Sequence, residues 1–369
     1  MLFILAIKAL LVALIPATIV YLSKGQDTFK KLGWVMVFFT FDLIVFGAFT
    51  RLTDSGLGCP DWPGCYGQAN PFLAHADVSA AQAAMPFGPV TVFKAWVEMI
   101  HRYLAMGVGV LIIATVVMAW FKWRQERLPR YAPALPMLLL AFVCVQGAFG
   151  AWTVTLKLQP VIVTTHLILG MGLLGLLVWH AMRQSQAVPL TRVTAGLRFT
   201  AAAVLAVLFM QIALGGWVST NYATLACTTF PLCEGRVMPP DMDFAQGFTL
   251  WRELGMTAAG DYLPFPALVA IHWLHRSFAF IVIALVLWLG VRVTRLPGLT
   301  SLARALWLVI GVQFLTGVGT VYFDWPLVLA VLHNAGAAVM VVLLVVLNYR
   351  LSLPVARVAV EPQSRLSPA

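Results

Sequence analysis

The sequence predicts an all-α integral membrane protein with two similar four-helix halves and one additional N-terminal helix. Of its 369 residues, 61% are hydrophobic and only 10% are charged, which leaves too little polar surface for a water-soluble domain. Apolar runs long enough to cross a hydrocarbon core of about 30 Å as a helix recur along the whole chain. In addition, motifs of the first half return in the second half at a nearly constant spacing, which indicates an internal duplication.

Nine apolar runs are predicted to span the membrane. They lie at 2–22, 33–50, 94–121, 133–152, 160–182, 197–218, 267–292, 302–322 and 327–350. The first run has the position and length of a signal peptide. However, Lys8 lies inside it, no small-residue cleavage site follows, and the run leads directly into the basic stretch from Lys24 to Lys31. We therefore expect a retained helix.

The distribution of charge predicts the orientation of the helices. The net charge is +10, and most of the 24 Lys and Arg residues lie in four loops, their flanking positions and the C-terminal tail. These loops are 23–32, 122–132, 183–197 and 292–304. The alternate loops 51–93 and 219–266 are long and hold most of the acidic residues. Because basic loops remain in the cytoplasm, the two long loops face the other side. The basic residues are thereby explained without a nucleic-acid partner.

Four cysteines lie in the two long outer loops. Cys59 and Cys65 belong to the first loop (CPDWPGC), and Cys227 and Cys233 to the second (CTTFPLC). In an oxidising compartment each pair is expected to form a disulfide that closes a small loop, a stabilisation of about 2 kcal/mol. A zinc site is the alternative, but CxxC spacing is absent and the two pairs lie in different loops. Cys144, inside a predicted helix, is expected to be an inert packing residue.

The cysteine pairs are 168 residues apart, and other motifs repeat at similar offsets. The FGAF segment at 46–49 matches LGGW at 214–217, and the QxxxGxxT segment at 146–153 matches the one at 313–320. Four helices separate equivalent points, so both halves run in the same direction and are related by an axis along the membrane normal.

This duplication predicts a domain organisation in four parts. They are an additional N-terminal transmembrane helix with its cytoplasmic link (1–32), a first four-helix half (33–185), a second four-helix half (186–350) and a cytoplasmic tail (351–369).

Four of the seven histidines occupy repeat-equivalent positions. They are His101 and His166 in the first half, and His275 and His333 in the second. All four are expected about 10 Å below the outer surface, at 1.5 Å of rise per residue. An imidazole within lipid needs a partner, and two on facing helices at equal depth suit axial ligation of a heme iron. A single such histidine is more often a hydrogen-bonded core residue, but four in register favour heme ligands. His75 and His180 lack this register and are expected to be incidental.

The two halves differ three residues before the first histidine. Glu98 precedes His101, whereas His272 precedes His275. Positions i and i+3 share a helix face, so Glu98 is expected to point toward whatever His101 binds, where a carboxylate suits proton transfer. The alternative is a partly solvated Glu98 paired with Lys94. The difference suggests that one half carries out chemistry and the other holds a cofactor.

An arginine follows the first histidine of each half. These residues, Arg102 and Arg276, are candidates for pairing with heme propionates. The alternative is that both side chains extend to the membrane interface, with their aliphatic parts in lipid and their charges in water.

Five motifs together are specific, although each alone is weak. They are FGAFTRLTDSGLGCPDWPGC at 46–65, EMIHR at 98–102, TTH at 164–166, HWLHR at 272–276 and VLH at 331–333. With these motifs the chain resembles the heme A synthase family over about 33–350. The resemblance implies an oxidoreductase that converts a methyl group of heme O to the formyl group of heme A, for cytochrome c oxidase. Oxidation would pass through a hydroxymethyl stage, with loss of water giving the aldehyde.

The resemblance also implies roles for individual residues. His101 and His166 would surround the substrate heme O, His275 and His333 would ligate the iron of a heme b, and Glu98 would act in catalysis.

The expected location is the bacterial plasma (inner) membrane, in contact with lipid, with the cysteine-containing loops in the periplasm and the C terminus in the cytoplasm. Heme O synthase (protoheme farnesyltransferase) and cytochrome c oxidase assembly factors are the implied partners. A homo-oligomer is left open. The additional N-terminal helix departs from the family's eight-helix pattern.

Two other classes of protein are alternatives to a synthase. A bis-heme electron-transfer cytochrome, which passes electrons between two hemes and a quinone, needs hemes in both leaflets, whereas all four histidines are predicted in the outer one. A transporter with parallel repeats should have broken helices and charges at the membrane midplane. Asp42 is the one residue that fits this second class, and it has no acidic counterpart in the other half.

Overall fold

The fold is taken from a computed structural model that describes residues 1–23, 27–185, 187, 189–190 and 193–354. Three predicted features fall on residues outside these ranges. They are Lys24 of the basic stretch, residue 186 at the boundary of the halves, and positions 355–369 of the C-terminal tail.

The described residues form eleven α-helices and no β-strand. In chain order the helices are α1 (Leu2–Leu22), α2 (Thr28–Leu52), α3 (His75–Ala84), α4 (Val92–Glu126), α5 (Ala134–Thr155), α6 (Pro160–Gln184), α7 (Ala195–Thr220), α8 (Phe244–Gly247), α9 (Phe265–Thr294), α10 (Thr300–Tyr322) and α11 (Leu327–Ser352). All except α3 and α8 are, by length and composition, able to cross a membrane. Over the described part of the chain, the all-helical class and the nine predicted spans are therefore confirmed.

The two short helices of the outer loops were not predicted from the sequence. The α3 helix is rich in alanine, and the four-residue α8 is capped by Asp243, whose carboxylate accepts the Gln246 N–H at 2.9 Å. Neither contains an apolar run of membrane-spanning length, which was the pattern that located the other helices.

The two halves use the same helix neighbours. In the first half α2 packs on α4, α4 on α5, α5 on α6, and α6 on α2. In the second half the corresponding pairs are α7 with α9, α9 with α10, α10 with α11, and α11 with α7. Contacts of α6 with α7 and α11, and of α2 with α11, join the halves.

The main hydrophobic core lies in the half of the membrane that is remote from the disulfide loops. On α4 it begins at Val108, on α6 at Met171 and on α11 at Ala338, in each case beyond the histidine of that helix. Gly175 of α6 faces Val341 and Val345 of α11, and a Cβ at this glycine would lie 3.4 Å from a methyl carbon of Val345. The apolar core fixes the helices on one side, and the histidines lie on the other.

The additional helix α1 packs on α4 and α2. Its buried face includes the small residues Ala9 and Ala13. The backbones approach so closely that a Cβ on Gly107 of α4 would lie 2.7 Å from a methyl carbon of Val12. Near the outer end, Lys8 donates to the Tyr103 hydroxyl at 3.2 Å. Lys8 also donates to the Ala69 carbonyl at 3.5 Å. Thus α1 is attached to the first half by close packing and by the polar contacts of Lys8.

Candidate functional site

Each of the four repeat-equivalent histidines faces a glycine on a neighbouring helix. The pairs are His101 with Gly47, His275 with Gly215, His166 with Gly150, and His333 with Gly317. A Cβ on these glycines would lie 2.9, 2.9, 3.2 and 3.1 Å, respectively, from the nearest ring atom. Larger residues would displace the imidazoles, so the glycines allow a helix backbone to support each ring from one side.

The histidines form one pair in each half. His101 on α4 and His166 on α6 lie on helices that share the neighbours α2 and α5, and His275 on α9 and His333 on α11 lie on helices that share α7 and α10. Each of the four side chains is half-buried. Each half thus offers two partly accessible imidazoles, one from each of two opposed helices.

This arrangement fits a heme better than a metal ion bound by protein alone. Among the described residues, no group of three or more His, Cys, Asp or Glu side chains is placed to hold a metal ion. A heme iron needs only two axial ligands from the protein, because the porphyrin supplies the other four nitrogens. Nδ1 of His166 is buried without a side-chain hydrogen-bond partner. The residues therefore fit axial ligation of one heme in each half.

The second-half imidazoles make polar contacts through their remaining nitrogens. Nδ1 of His275 lies 3.1 Å from the side-chain nitrogen of Gln211 on α7, and Nδ1 of His333 lies 3.0 Å from the Thr316 hydroxyl on α10. In the first half, Gln146 instead donates to the backbone carbonyl of His166 at 3.1 Å. Sequence reasoning did not identify Gln211 or Thr316, because their importance depends on contacts between helices.

Glu98 is a buried side chain that joins α4 to the first disulfide loop. Only 4% of its surface is exposed. Its carboxylate accepts the Cys59 N–H at 2.8 Å and forms an ion pair with Arg102 at 2.5 Å. The alternative of a partly solvated Glu98 paired with Lys94 is therefore wrong. Lys94 donates instead to the Gly88 carbonyl at 3.3 Å.

His272 makes the equivalent contact in the second half. It is also 4% exposed, and its Nδ1 accepts the Cys227 N–H at 3.2 Å. Both positions thus receive the N–H of the first cysteine in their disulfide loop. The difference noticed in the sequence is one of charge rather than of placement, because Glu98 brings a carboxylate where His272 brings an imidazole.

Arg102 and Arg276 both bind carbonyl groups of the disulfide loops. Arg102 donates to the Asp61 carbonyl at 2.9 Å and also to that of Gly64, and Arg276 donates to the Thr229 carbonyl at 2.9 Å. Each disulfide loop is therefore held by two residues of the long helix that follows it. One lies three residues before the first histidine of that half (Glu98 or His272), and the other lies directly after this histidine (Arg102 or Arg276). The pairing of Arg102 and Arg276 with propionates stays a prediction.

The cysteine predictions are confirmed for both loops. Disulfides join Cys59 to Cys65 and Cys227 to Cys233. Cys144 is free and lies within α5, as expected. However, it lies on the exposed surface of the helix, so the expectation of a packing residue is wrong. The apolar sequence of α5 is nearly uniform around the helix, so composition did not reveal which face is covered.

The two histidines predicted to be incidental lie away from the four paired ones. His75 begins α3, where its Nδ1 is 3.3 Å from the Ser79 hydroxyl. His180 is buried at the opposite end of the membrane and packs edge-on against Phe29.

A polar cluster missed by sequence reasoning joins the outer ends of α2 and α7. The Tyr222 hydroxyl donates to Asp54 at 2.8 Å, and Arg51 donates to the Ser219 carbonyl at 2.7 Å. Asp54 and Tyr222 are repeat-equivalent positions, as are Arg51 and Ser219, each 168 residues apart. Both contacts therefore join residues at equivalent positions of the predicted repeat.

Comparison with known proteins supports the resemblance. The family described as Cytochrome oxidase assembly protein (COX15-CtaA) matches residues 30–345. A protein of Shewanella oneidensis named heme A synthase is 38% identical over 324 residues, which covers 86% of this chain and 96% of the relative. Proteins of the same name from Caulobacter vibrioides and Sinorhizobium fredii are 29% and 28% identical, over 87% and 83% of this chain and 95% and 86% of the relatives. The chain therefore belongs to the COX15-CtaA family of cytochrome oxidase assembly proteins.

Proposed function

We propose that this multi-pass membrane protein is a heme A synthase, an oxidoreductase that converts a methyl group of heme O to the formyl group of heme A. The family and the names of relatives along nearly the whole chain support this function. The observation that carries it is the set of four histidines in two equivalent pairs, each ring backed by a glycine. Two such pairs suit one substrate heme and one resident heme.

The proposal assigns a different task to each half. The first half (33–185) binds the substrate heme O between His101 and His166, and the second (186–350) binds a heme b between His275 and His333. The repeated helix neighbours support an arrangement of two parallel four-helix bundles, with α1 outside the repeat. Heme b, when bound, supplies an iron that changes between its ferric and ferrous forms.

Glu98 is the proposed catalytic residue of the first half. It lies on α4 one turn from His101, and its carboxylate is oriented by Arg102 and by the Cys59 N–H. In a water-poor site, an oriented negative charge stabilises positive charge that develops on a substrate, or accepts a proton from it. The second half has a neutral imidazole at this position, which is consistent with cofactor binding alone.

We further propose that both disulfide loops face the periplasm of a bacterial inner membrane and that the C terminus is cytoplasmic. The basic loops lie at the opposite end of the helices, as the positive-inside rule requires for this orientation. Heme O is the substrate. Heme O synthase and cytochrome c oxidase assembly factors are candidate partners, and a homo-oligomer is a candidate assembly.

Expression in a membrane that makes heme O but no heme A tests the function. The hemes are extracted and separated by chromatography. We expect heme A with the unmodified protein and none with His101→Ala, at matched protein and heme b content. Heme b without heme A in the unmodified protein would contradict the proposal and favour an electron-transfer cytochrome.

A further inference from the structure

The two halves differ in how the second nitrogen of each imidazole is held. In the second half, Gln211 contacts Nδ1 of His275 and Thr316 contacts Nδ1 of His333, at 3.1 and 3.0 Å. The repeat places Leu43 and Phe149 at the equivalent positions of the first half. Neither of these side chains has a hydrogen-bonding group. Both polar contacts are thus replaced by apolar residues, on two different helices.

The Thr316 contact selects the tautomer that an iron ligand needs. Its hydroxyl donates to the Val312 carbonyl at 2.9 Å on its own helix, so the oxygen is available to accept an N–H from Nδ1 of His333. With the proton on Nδ1, the lone pair of Nε2 is free to bind iron. A hydrogen bond of this kind fixes the orientation of a metal-bound imidazole and raises its basicity.

Gln211 restrains His275 in a comparable way. Its side-chain nitrogen also donates to the His275 carbonyl at 3.2 Å, which holds the amide beside the ring. The side-chain oxygen is buried without a partner. A half-turn of the amide gives up the contact with the His275 carbonyl and brings the side-chain oxygen to Nδ1, where it accepts the N–H that a ligated imidazole carries.

The first-half rings lack these restraints. Nδ1 of His166 has no side-chain hydrogen-bond partner in the described part of the chain. His101 stacks on the Phe46 ring, with centroids 6.4 Å apart, and this contact does not select a ring nitrogen. These imidazoles keep the glycine support but not the polar contact that would fix their orientation.

We infer that Gln211 and Thr316 are positioning residues, which orient the second-half imidazoles for durable heme binding. Their counterparts Leu43 and Phe149 leave the first-half imidazoles without that restraint, so this half releases its heme readily. The inference rests on the proposed function, in which one heme stays and the other is exchanged in every catalytic cycle. The same fold thereby supplies a resident site and a turnover site.

The rate of heme loss from the purified holoprotein to excess apomyoglobin tests the inference. Gln211→Leu and Thr316→Val should each lose heme b about 10- to 100-fold faster, the range typical for loss of a contact behind a metal ligand. Thr320→Val is the matched control. It removes a buried hydroxyl one turn along the same helix, and that hydroxyl donates only to the Gly317 carbonyl of its own helix, at 2.7 Å.

Thr316→Ser keeps the hydroxyl and should retain heme b as the unmodified protein does. The low-spin electron paramagnetic resonance g-values should shift in Thr316→Val but not in Thr316→Ser.

The reverse substitutions in the first half test the other side of the inference. Leu43→Gln and Phe149→Thr should retain more heme per polypeptide after purification than the unmodified protein does. Equal rates of heme loss in Thr316→Val, Gln211→Leu and Thr320→Val would overturn the inference, and so would unchanged heme retention in both first-half variants. Failure of the proposed function would look different, because heme A would be absent from heme O-producing membranes whatever the rates of heme loss.

Discussion

The two disulfide loops are held in the same way by different chemistry. In the first half a buried carboxylate and a guanidinium, Glu98 and Arg102, bind the loop and each other. In the second half a neutral imidazole, His272, takes the place of the carboxylate. A buried ion pair is costly to break on one side, because the remaining charge is left without a partner. The comparison shows that loop attachment does not require the charge. The charge of Glu98 neutralises the buried guanidinium of Arg102, and under the proposed function it also serves catalysis in the first half.

Loss of a second-half ligand should have the largest effect. His333→Ala should abolish the low-spin, six-coordinate b-type spectrum, because ligation by two imidazoles requires both. The measurement is the visible absorption spectrum of the purified protein. His166→Ala, the repeat-equivalent change, should leave that spectrum in place. An unchanged spectrum in His333→Ala would show that the pairing of histidines is incorrect.

Neutralising Glu98 should have the next largest effect. Glu98→Gln keeps an oxygen for the Cys59 N–H but removes the charge. Heme A formation should therefore fall by about 10²-fold or more, the range of lost acid–base catalysis. Heme O or a hydroxylated intermediate should accumulate while heme b stays bound. Chromatography of the extracted hemes, at matched heme b content, provides the measurement.

Two controls separate charge from loop attachment. Glu98→Asp retains the charge and should be more active than Glu98→Gln, although one methylene shorter. His272→Ala removes the equivalent loop contact and should leave turnover largely intact where heme b is retained. If Glu98→Gln made heme A at the unmodified rate and His272→Ala did not, the tasks of the two halves would have to be exchanged.

Removal of either disulfide should have a smaller effect, which lowers the stability of the protein by a similar amount in both halves. Each closes a short loop, so the replacement of Cys65 or Cys233 by Ser should cost about 2 kcal/mol of stability by the loop-entropy estimate. In native membranes without reductant, a lipid-permeable thiol reagent should label Cys144 alone. Labelling of Cys59 or Cys65 under these conditions would contradict a disulfide in the first loop.

Much of this architecture could be predicted because lipid restricts the possible structures. A chain that crosses a bilayer repeatedly must show long apolar runs, and a duplication places equivalent histidines at equal depth. The partner of Glu98 could not be predicted, since Lys94 and Arg102 are both four residues away. Burial decides between them, because Arg102 reaches inward to the loop carbonyls whereas Lys94 reaches the Gly88 carbonyl. Likewise, the contacts of Gln211 and Thr316 depend on rotation of neighbouring helices, which spacing along one helix does not report.

The smallest expected effect concerns α1, a helix for which the second half has no counterpart in the repeat. Its packing on α4 is mainly apolar. Lys8 adds a hydrogen bond to the Tyr103 hydroxyl at 3.2 Å and a longer one to the Ala69 carbonyl at 3.5 Å, to which Tyr103 also donates, at 2.7 Å. A partly buried hydrogen bond contributes about 1 kcal/mol. Lys8→Met should therefore lower the temperature of thermal unfolding slightly, measured as loss of the native gel-filtration peak on heating. Heme b content and heme A formation should be unchanged.

A double-substitution cycle tests whether this small effect comes from the contact itself. Tyr103→Phe removes the same hydrogen bond from the other side, together with the bond from Tyr103 to the Ala69 carbonyl. The two losses should therefore be less than additive, as expected for residues in direct contact. The double variant should be more stable than the sum of the two single losses predicts. Additive losses would mean that Lys8 acts elsewhere. A large loss of heme A formation in Lys8→Met, with heme b retained, would mean that α1 takes part in the chemistry of the first half and not only in its stability.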